Sequence, residues 1–179
     1  MRVTGPTADY AVVCVNGGQA REVEGTWSAS VEWLVRRLAA RLPELGFAEV
    51  RYRVKSWRRL EWCVDDARAA VDELGAERTV LMGFSMGGAV SVAVAKEPTV
   101  EEVIGLAPWI PDQLDVSTLR GKRLAVFHGA LDRWLPGIPG ALHGIALRSP
   151  WGKLVALPKA DRWAELVEEE LRRFVDAPP

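Results

Sequence analysis

A chain of 179 residues with a net charge of −1 suits one domain with a sizeable core and leaves little length for a lid or a second domain. Its arginines, such as Arg36, Arg37, Arg58 and Arg59, are scattered among acidic residues, which excludes the basic surface expected of a nucleic-acid or anionic-membrane binder. No apolar run approaches the roughly 18 residues of a membrane span, and the first residues lack the apolar core of a signal peptide, so a cytoplasmic protein is expected. Cys14 and Cys63 make neither a disulfide framework nor a metal-ligand spacing. Both read as small buried hydrophobes, and no metal or other cofactor is expected.

Strand-like and helix-like segments alternate along the chain. Residues 10–15 are an apolar, β-branched run closed by Asn16-Gly17-Gly18, the pattern of a buried strand feeding a glycine loop. Trp27-Ser28-Ala29-Ser30 offers a helix start, and Val31, Leu34, Val35, Leu38 and Leu42 recur at helical spacing up to Pro43. Residues 48–54 alternate Val50, Tyr52 and Val54 with Arg51 and Arg53, which predicts a strand with one wetter face. Residues 60–74 are helical by period, with Gly75 as the stop. The apolar run 79–82 predicts a strand and the small, apolar stretch 88–95 a buried helix; residues 100–106 and 124–128 predict two further strands. Residues 153–157 are strand-like, and residues 161–175 predict a closing amphipathic helix with Leu166, Val167, Leu171 and Phe174 on one face. This order predicts an α/β fold, a three-layer sandwich with a mostly parallel central sheet, as a single domain over residues 1–179, with chemistry at the carboxyl ends of the strands.

Gly83-Phe84-Ser85-Met86-Gly87 falls where a strand turns into a helix. G-x-S-x-G in that setting is a nucleophile elbow: the turn forces the serine into strained backbone angles and brings neighbouring segments too close for side chains at the flanking positions. Ser85 would thereby stand at the head of the sheet, with the N–H of Met86 ready to stabilise an oxyanion. Serine is a poor nucleophile at neutral pH and needs a base and an acid that orients it. Two histidines, His128 and His143, are the candidates for that base.

At the end of a predicted strand, Phe127-His128-Gly129-Ala130-Leu131-Asp132-Arg133-Trp134-Leu135-Pro136 resembles the H-G-x-x-D-x-x-P segment of α/β-hydrolases. The resemblance implies Asp132 as the triad acid and leaves His128 to support the loop. Pro139-Gly140-Ala141-Leu142-His143-Gly144 is similar to the family's P-G-x-x-H motif and implies His143 as the base, in the chain order Ser85, Asp132, His143. Asn16-Gly17-Gly18-Gln19 resembles the family's H-G-G loop with Asn16 in place of His, which points to Gly18 or Gln19 as the second oxyanion donor. The resemblance spans residues 10–175. Between Leu106 and Asp132 there is no length for a cap domain, and the compact, capless members of the family are mostly carboxylesterases, thioesterases and dienelactone-hydrolase-like enzymes. It therefore implies a metal-free serine hydrolase that cleaves small carboxylic esters or thioesters through an acyl-enzyme.

A second match competes for the base. Leu157-Pro158-Lys159-Ala160-Asp161-Arg162 follows a strand-like run and precedes the last helix, where the family usually places its histidine. Arg162 stays protonated and cannot act as a base, so this alignment describes a non-catalytic binding protein on the same fold. Asp132 and His143 are 143 − 132 = 11 positions apart, whereas the family normally inserts a helix and a strand between them; either the protein carries a natural deletion or a segment between Gly137 and Leu142 is missing from the sequence, and the second is the expectation. Asp112 is an alternative acid. Trp57, Trp109 and Trp134, three of eight tryptophans, each follow a strand-like run and are candidates for an apolar acyl or aromatic pocket.

Overall fold

The computed structural model describes residues 1–129, 146–149 and 160–178. Among these residues seven strands form the main sheet in the order β1 (Arg2–Thr4), β4 (Gly46–Glu49), β2 (Tyr10–Val15), β6 (Arg78–Phe84), β7 (Val100–Leu106), β8 (Arg123–Gly129) and β9 (Ala146–Ser149). β1 runs antiparallel to β4, and the other five pairings are parallel. A separate ribbon pairs β3 (Val23–Glu24) with β5 (Val54–Lys55). The helices are α1 (Ala29–Ala39), α2 (Leu60–Leu74), α3 (Met86–Val94) and α4 (Ala160–Asp176).

Strand alternation sorts the core into two layers. On one face Val12, Cys14, Val80, Met82, Ile104, Leu106, Ala125 and Phe127 pack against Leu34, Val35 and Leu38 of α1 and Trp163, Val167, Leu171 and Phe174 of α4. On the other face Val13, Val15, Leu81, Val103 and Val126 pack against Cys63, Ala67 and Val71 of α2 and Met86, Val90 and Val94 of α3. Burying each large aliphatic or phenyl side chain contributes about 1.5–3 kcal/mol. Because strands of a parallel sheet are covered on both faces, they read as continuous apolar runs, and β2, β6, β7 and β8 lie where such runs were expected. α1 is capped by Ser28, whose hydroxyl accepts from the Val31 N–H, and α2 ends on Gly75 at φ 59°. The ion pair Arg37–Asp161 ties α1 to α4, and Arg41, just past α1, pairs with Glu168 of α4.

The strand expected over residues 48–54 is displaced. β4 begins at Gly46 and ends at Glu49, after which the Val50 N–H still reaches the Cys14 carbonyl at 3.0 Å. Val50 and Tyr52 are buried while Arg51 and Arg53 are exposed, so the alternation is real but belongs to an extended crossing over the end of the sheet. Its polar side is held by side chains: Asp66 accepts from the Arg53 N–H at 2.7 Å, and Arg51 Nε donates to the Gly25 carbonyl at 2.9 Å. β9 pairs with the last four residues of β8, from Val126↔Ala146 to Gly129↔Ser149, and was not foreseen. The strand-like residues 153–157 lie outside the described residues.

Beneath α4 the sheet carries a buried carboxyl. Glu102 in β7 is 0 % exposed, with Arg123 Nε at 3.4 Å, while Arg123 and Arg173 both donate to Glu170 on α4. Burial pushes Glu102 from 4.5 up to about 8, against the pull of Arg123. Folding thus favours the protonated acid. Its stabilising share is fully present below the unfolded pKa of 4.5 and is lost as pH rises through about 8. Urea unfolding should show stability declining across this window by at most about 1.4 kcal/mol per pH unit from this group, and Glu102→Gln should flatten the decline. An identical slope in the variant would contradict the assignment.

Candidate active site

Ser85 connects the end of β6 to the start of α3 with φ 53° and ψ −117°, a conformation costing a non-glycine residue on the order of 1–3 kcal/mol. Its surroundings hold it there. The Ser85 N–H donates to the Leu106 carbonyl at 3.0 Å, and its carbonyl accepts from the N–H groups of Gly88 at 2.9 Å and Trp109 at 2.8 Å. A Cβ on Gly83 would stand 2.2 Å from the Gly87 carbonyl oxygen, and one on Gly87 would stand 2.3 Å from that of Val15. Both clashes are with backbone that cannot yield locally. Gly87→Ala should therefore lose more than about 3 kcal/mol in urea unfolding, whereas Gly75→Ala, with open space around a φ of 59°, should lose only about 1 kcal/mol. Equal losses would show that the elbow is not tightly packed.

The neighbouring strand braces this turn. Ala107, just past β7, is a second non-glycine residue at positive φ, 43°, and its N–H donates to the Phe127 carbonyl at 2.7 Å. The kink lays Pro108 on α3, where a Cβ on Gly88 would meet the Pro108 Cβ at 2.4 Å, and delivers the Trp109 N–H to Ser85. The segment from Ala107 to β8 holds only a 3-10 turn, Val116–Leu119, so no cap domain is inserted there.

On the other side of Ser85 lies the glycine loop after β2. Asn16 is buried and its amide ties the loop to the chain beyond β3: Oδ1 accepts from the Gly17 N–H at 3.1 Å and Nδ2 donates to the Thr26 carbonyl at 3.2 Å. The Tyr52 hydroxyl donates to the Asn16 carbonyl at 2.9 Å. A Cβ on Gly17 would lie 3.6 Å from the Ser85 Cβ, and one on Gly18 would lie 2.1 Å from the Met86 sulfur. Loop and elbow are therefore in contact. With the Gly17 N–H engaged, the N–H groups of Gly18 and Gln19 have no hydrogen-bond partner among the described residues. Met86 opens α3, so its N–H has no partner within the helix. Both the loop and the elbow thus carry backbone donors without a partner among the described residues. The sequence gives no local signal for Asn16 and Tyr52 as braces of the loop; its alternation predicts Tyr52 as a strand residue.

Trp57 begins a 3-10 turn, Trp57–Arg59, and its N–H donates to the Gln19 carbonyl at 3.1 Å. Its ring is 6.2 Å from that of Trp109, tilted by 39°. Asp132, Trp134 and His143 lie outside the described residues, as does the connection from Gly137 to Leu142. His128, near the end of β8, has a buried Nδ1 with no hydrogen-bond partner among the described residues. Asp112 is exposed beyond Trp109. Arg162 stands exposed on the first turn of α4 and donates to Glu165 at 3.1 Å. Burial raises the thiols of Cys14 and, to about 11, Cys63, so neither is a thiolate at neutral pH.

A strained serine between a parallel strand and a buried helix, facing a glycine loop, defines a class, and the comparisons agree with it. The family model described as "Alpha/beta hydrolase family" matches residues 12–179: the chain belongs to the alpha/beta hydrolase family. Among solved structures it is similar to a dienelactone hydrolase from Anabaena variabilis, with a TM-score of 0.67 and 16% identity over 93% of this chain and 88% of that one. It is also similar to a monoacylglycerol lipase from Paleococcus ferrophilus, with a TM-score of 0.65 and 13% identity over 95% and 96% of the two chains. An esterase from Pyrococcus furiosus gives a TM-score of 0.67 and 14% identity over 93% and 82%. At these identities the likeness carries the fold. The comparison with curated proteins found no match.

Proposed function

We propose that the protein is a serine hydrolase that cleaves small carboxylic esters or thioesters through an acyl-enzyme. The observation that carries this reading is the backbone of Ser85, held at φ 53° and ψ −117° by hydrogen bonds with Leu106 and Trp109 of the neighbouring segment and with Gly88 of α3. A turn with no chemical duty has no reason to keep a serine in a conformation that glycine adopts without strain. The Ser85 hydroxyl attacks the acyl carbon, and His143 takes its proton while Asp132 holds the imidazole in register. The oxyanion is met by the N–H of Met86 and by that of Gly18 or Gln19, and the leaving alcohol or thiol takes the proton back from His143. Water then repeats the sequence to release the acid.

One observation favours a second reading, a binding protein on the same fold that has lost its base. β9, the parallel neighbour of β8, comes after His143 in the chain, and the turn of α4 that follows it carries Arg162. Acid quench of the protein mixed with a short-chain p-nitrophenyl ester, followed by intact mass measurement, separates the two. The hydrolase accumulates an acyl adduct during a burst of p-nitrophenol and turns over. A binding protein shows neither.

A further inference from the structure

We propose that Trp57 and Trp109 together form a preformed aromatic subsite that receives a flat, apolar ring of the substrate beside Ser85. The inference rests on the hydrolase reading for the word substrate, but not for the binding. The main chain of each tryptophan is tied to one of the two segments, Trp109 to the elbow and Trp57 to the glycine loop. The Trp109 N–H is bound to the Ser85 carbonyl at 2.8 Å, and the Trp57 N–H to the Gln19 carbonyl at 3.1 Å. From these two anchors the rings meet at 6.2 Å.

The anchoring is deep on both sides. Ser56, directly before Trp57, is 0 % exposed and its hydroxyl caps the turn by accepting from the Arg58 N–H at 3.1 Å. Trp109 packs with Ile110 against the core layer under α3. Trp57 remains 45 % exposed, so its ring is open to a ligand. At 39° and 6.2 Å the rings touch, so nothing inserts between them. They present instead a continuous wall, on which a planar ring stacks by offset or edge contact. Rigid aromatic walls bind flat groups at little entropic cost, because few rotors remain to be frozen.

Binding is measured on Ser85→Ala protein, in which esters persist, by the indole N–H signals of nitrogen-15-labelled tryptophan assigned with Trp57→Phe and Trp109→Phe. The probes are phenyl acetate, with the ring in the leaving group, ethyl benzoate, with the ring in the acyl group, and ethyl acetate, with no ring. The Trp57 and Trp109 signals should shift with at least one aryl probe and not with ethyl acetate. Trp57→Ala should weaken that probe about tenfold, while Trp57→Phe should keep most of the affinity. Shifts with phenyl acetate alone assign the ring to the leaving group; shifts with ethyl benzoate alone assign it to the acyl group. Indole signals unmoved by both aryl probes, or moved equally by ethyl acetate, overturn the proposal. Failure of wild-type protein to form an acyl adduct would sink the hydrolase reading and leave this result standing.

Discussion

Ser85→Ala is expected to reduce hydrolysis of a short-chain aryl ester by about 10⁴-fold or more, to the level of weak background catalysis by the remaining oxyanion donors. The size of the effect follows from what the hydroxyl does, since without it no acyl-enzyme forms. Stability should change by less than about 1 kcal/mol, because alanine meets the same φ of 53° that serine already tolerates. The side-chain oxygen of Ser85 also makes no hydrogen bond among the described residues. Initial rates and urea midpoints measured on the same preparation separate chemistry from folding. A variant that keeps its turnover would remove Ser85 from the mechanism.

His143→Ala should lower turnover by several orders of magnitude, whereas His128→Ala should act mainly through stability. The base must hold a neutral nitrogen against the Ser85 hydroxyl, and its loss leaves a serine with almost no alkoxide character at neutral pH. His128 lies near the end of β8 with a buried Nδ1, so removing its ring leaves a void at the end of the sheet. Rates for both variants, set against their thermal midpoints, make the ranking. The reverse order would show that the base is His128. Full activity in both would point away from histidine-dependent chemistry.

Much of this fold is readable in the chain because a doubly covered parallel sheet writes itself as short apolar runs. β2, β6, β7 and β8 each carry side chains into both core layers, and their shortness and β-branched residues mark such runs as strands. The elbow was legible for a related reason, since Gly83 and Gly87 are fixed by approaches of 2.2 and 2.3 Å that only the missing Cβ permits. What was not legible depends on distant partners. β1, β3 and β5 are two or three residues long and have no period of their own; each is a strand only because a neighbour supplies the ladder. Residues 50–53 show a strand's alternation, but the sheet ends at Glu49 and the alternation instead faces α2 on one side and solvent on the other. The bracing of the glycine loop joins Asn16 to Tyr52 across 36 positions, and the Ala107 kink is set by its bond to Phe127. Neither has a local signature. The acid and base were proposed from motif resemblance alone.

The most direct test of the central claim is labelling with a fluorophosphonate probe, which phosphonylates an activated serine hydroxyl and spares an ordinary one. Peptide mapping of the native protein should place a single covalent adduct on Ser85, formed within minutes at neutral pH and absent after heat denaturation or in Ser85→Ala. No adduct in the native protein, or an adduct that persists unchanged in Ser85→Ala, would contradict the account.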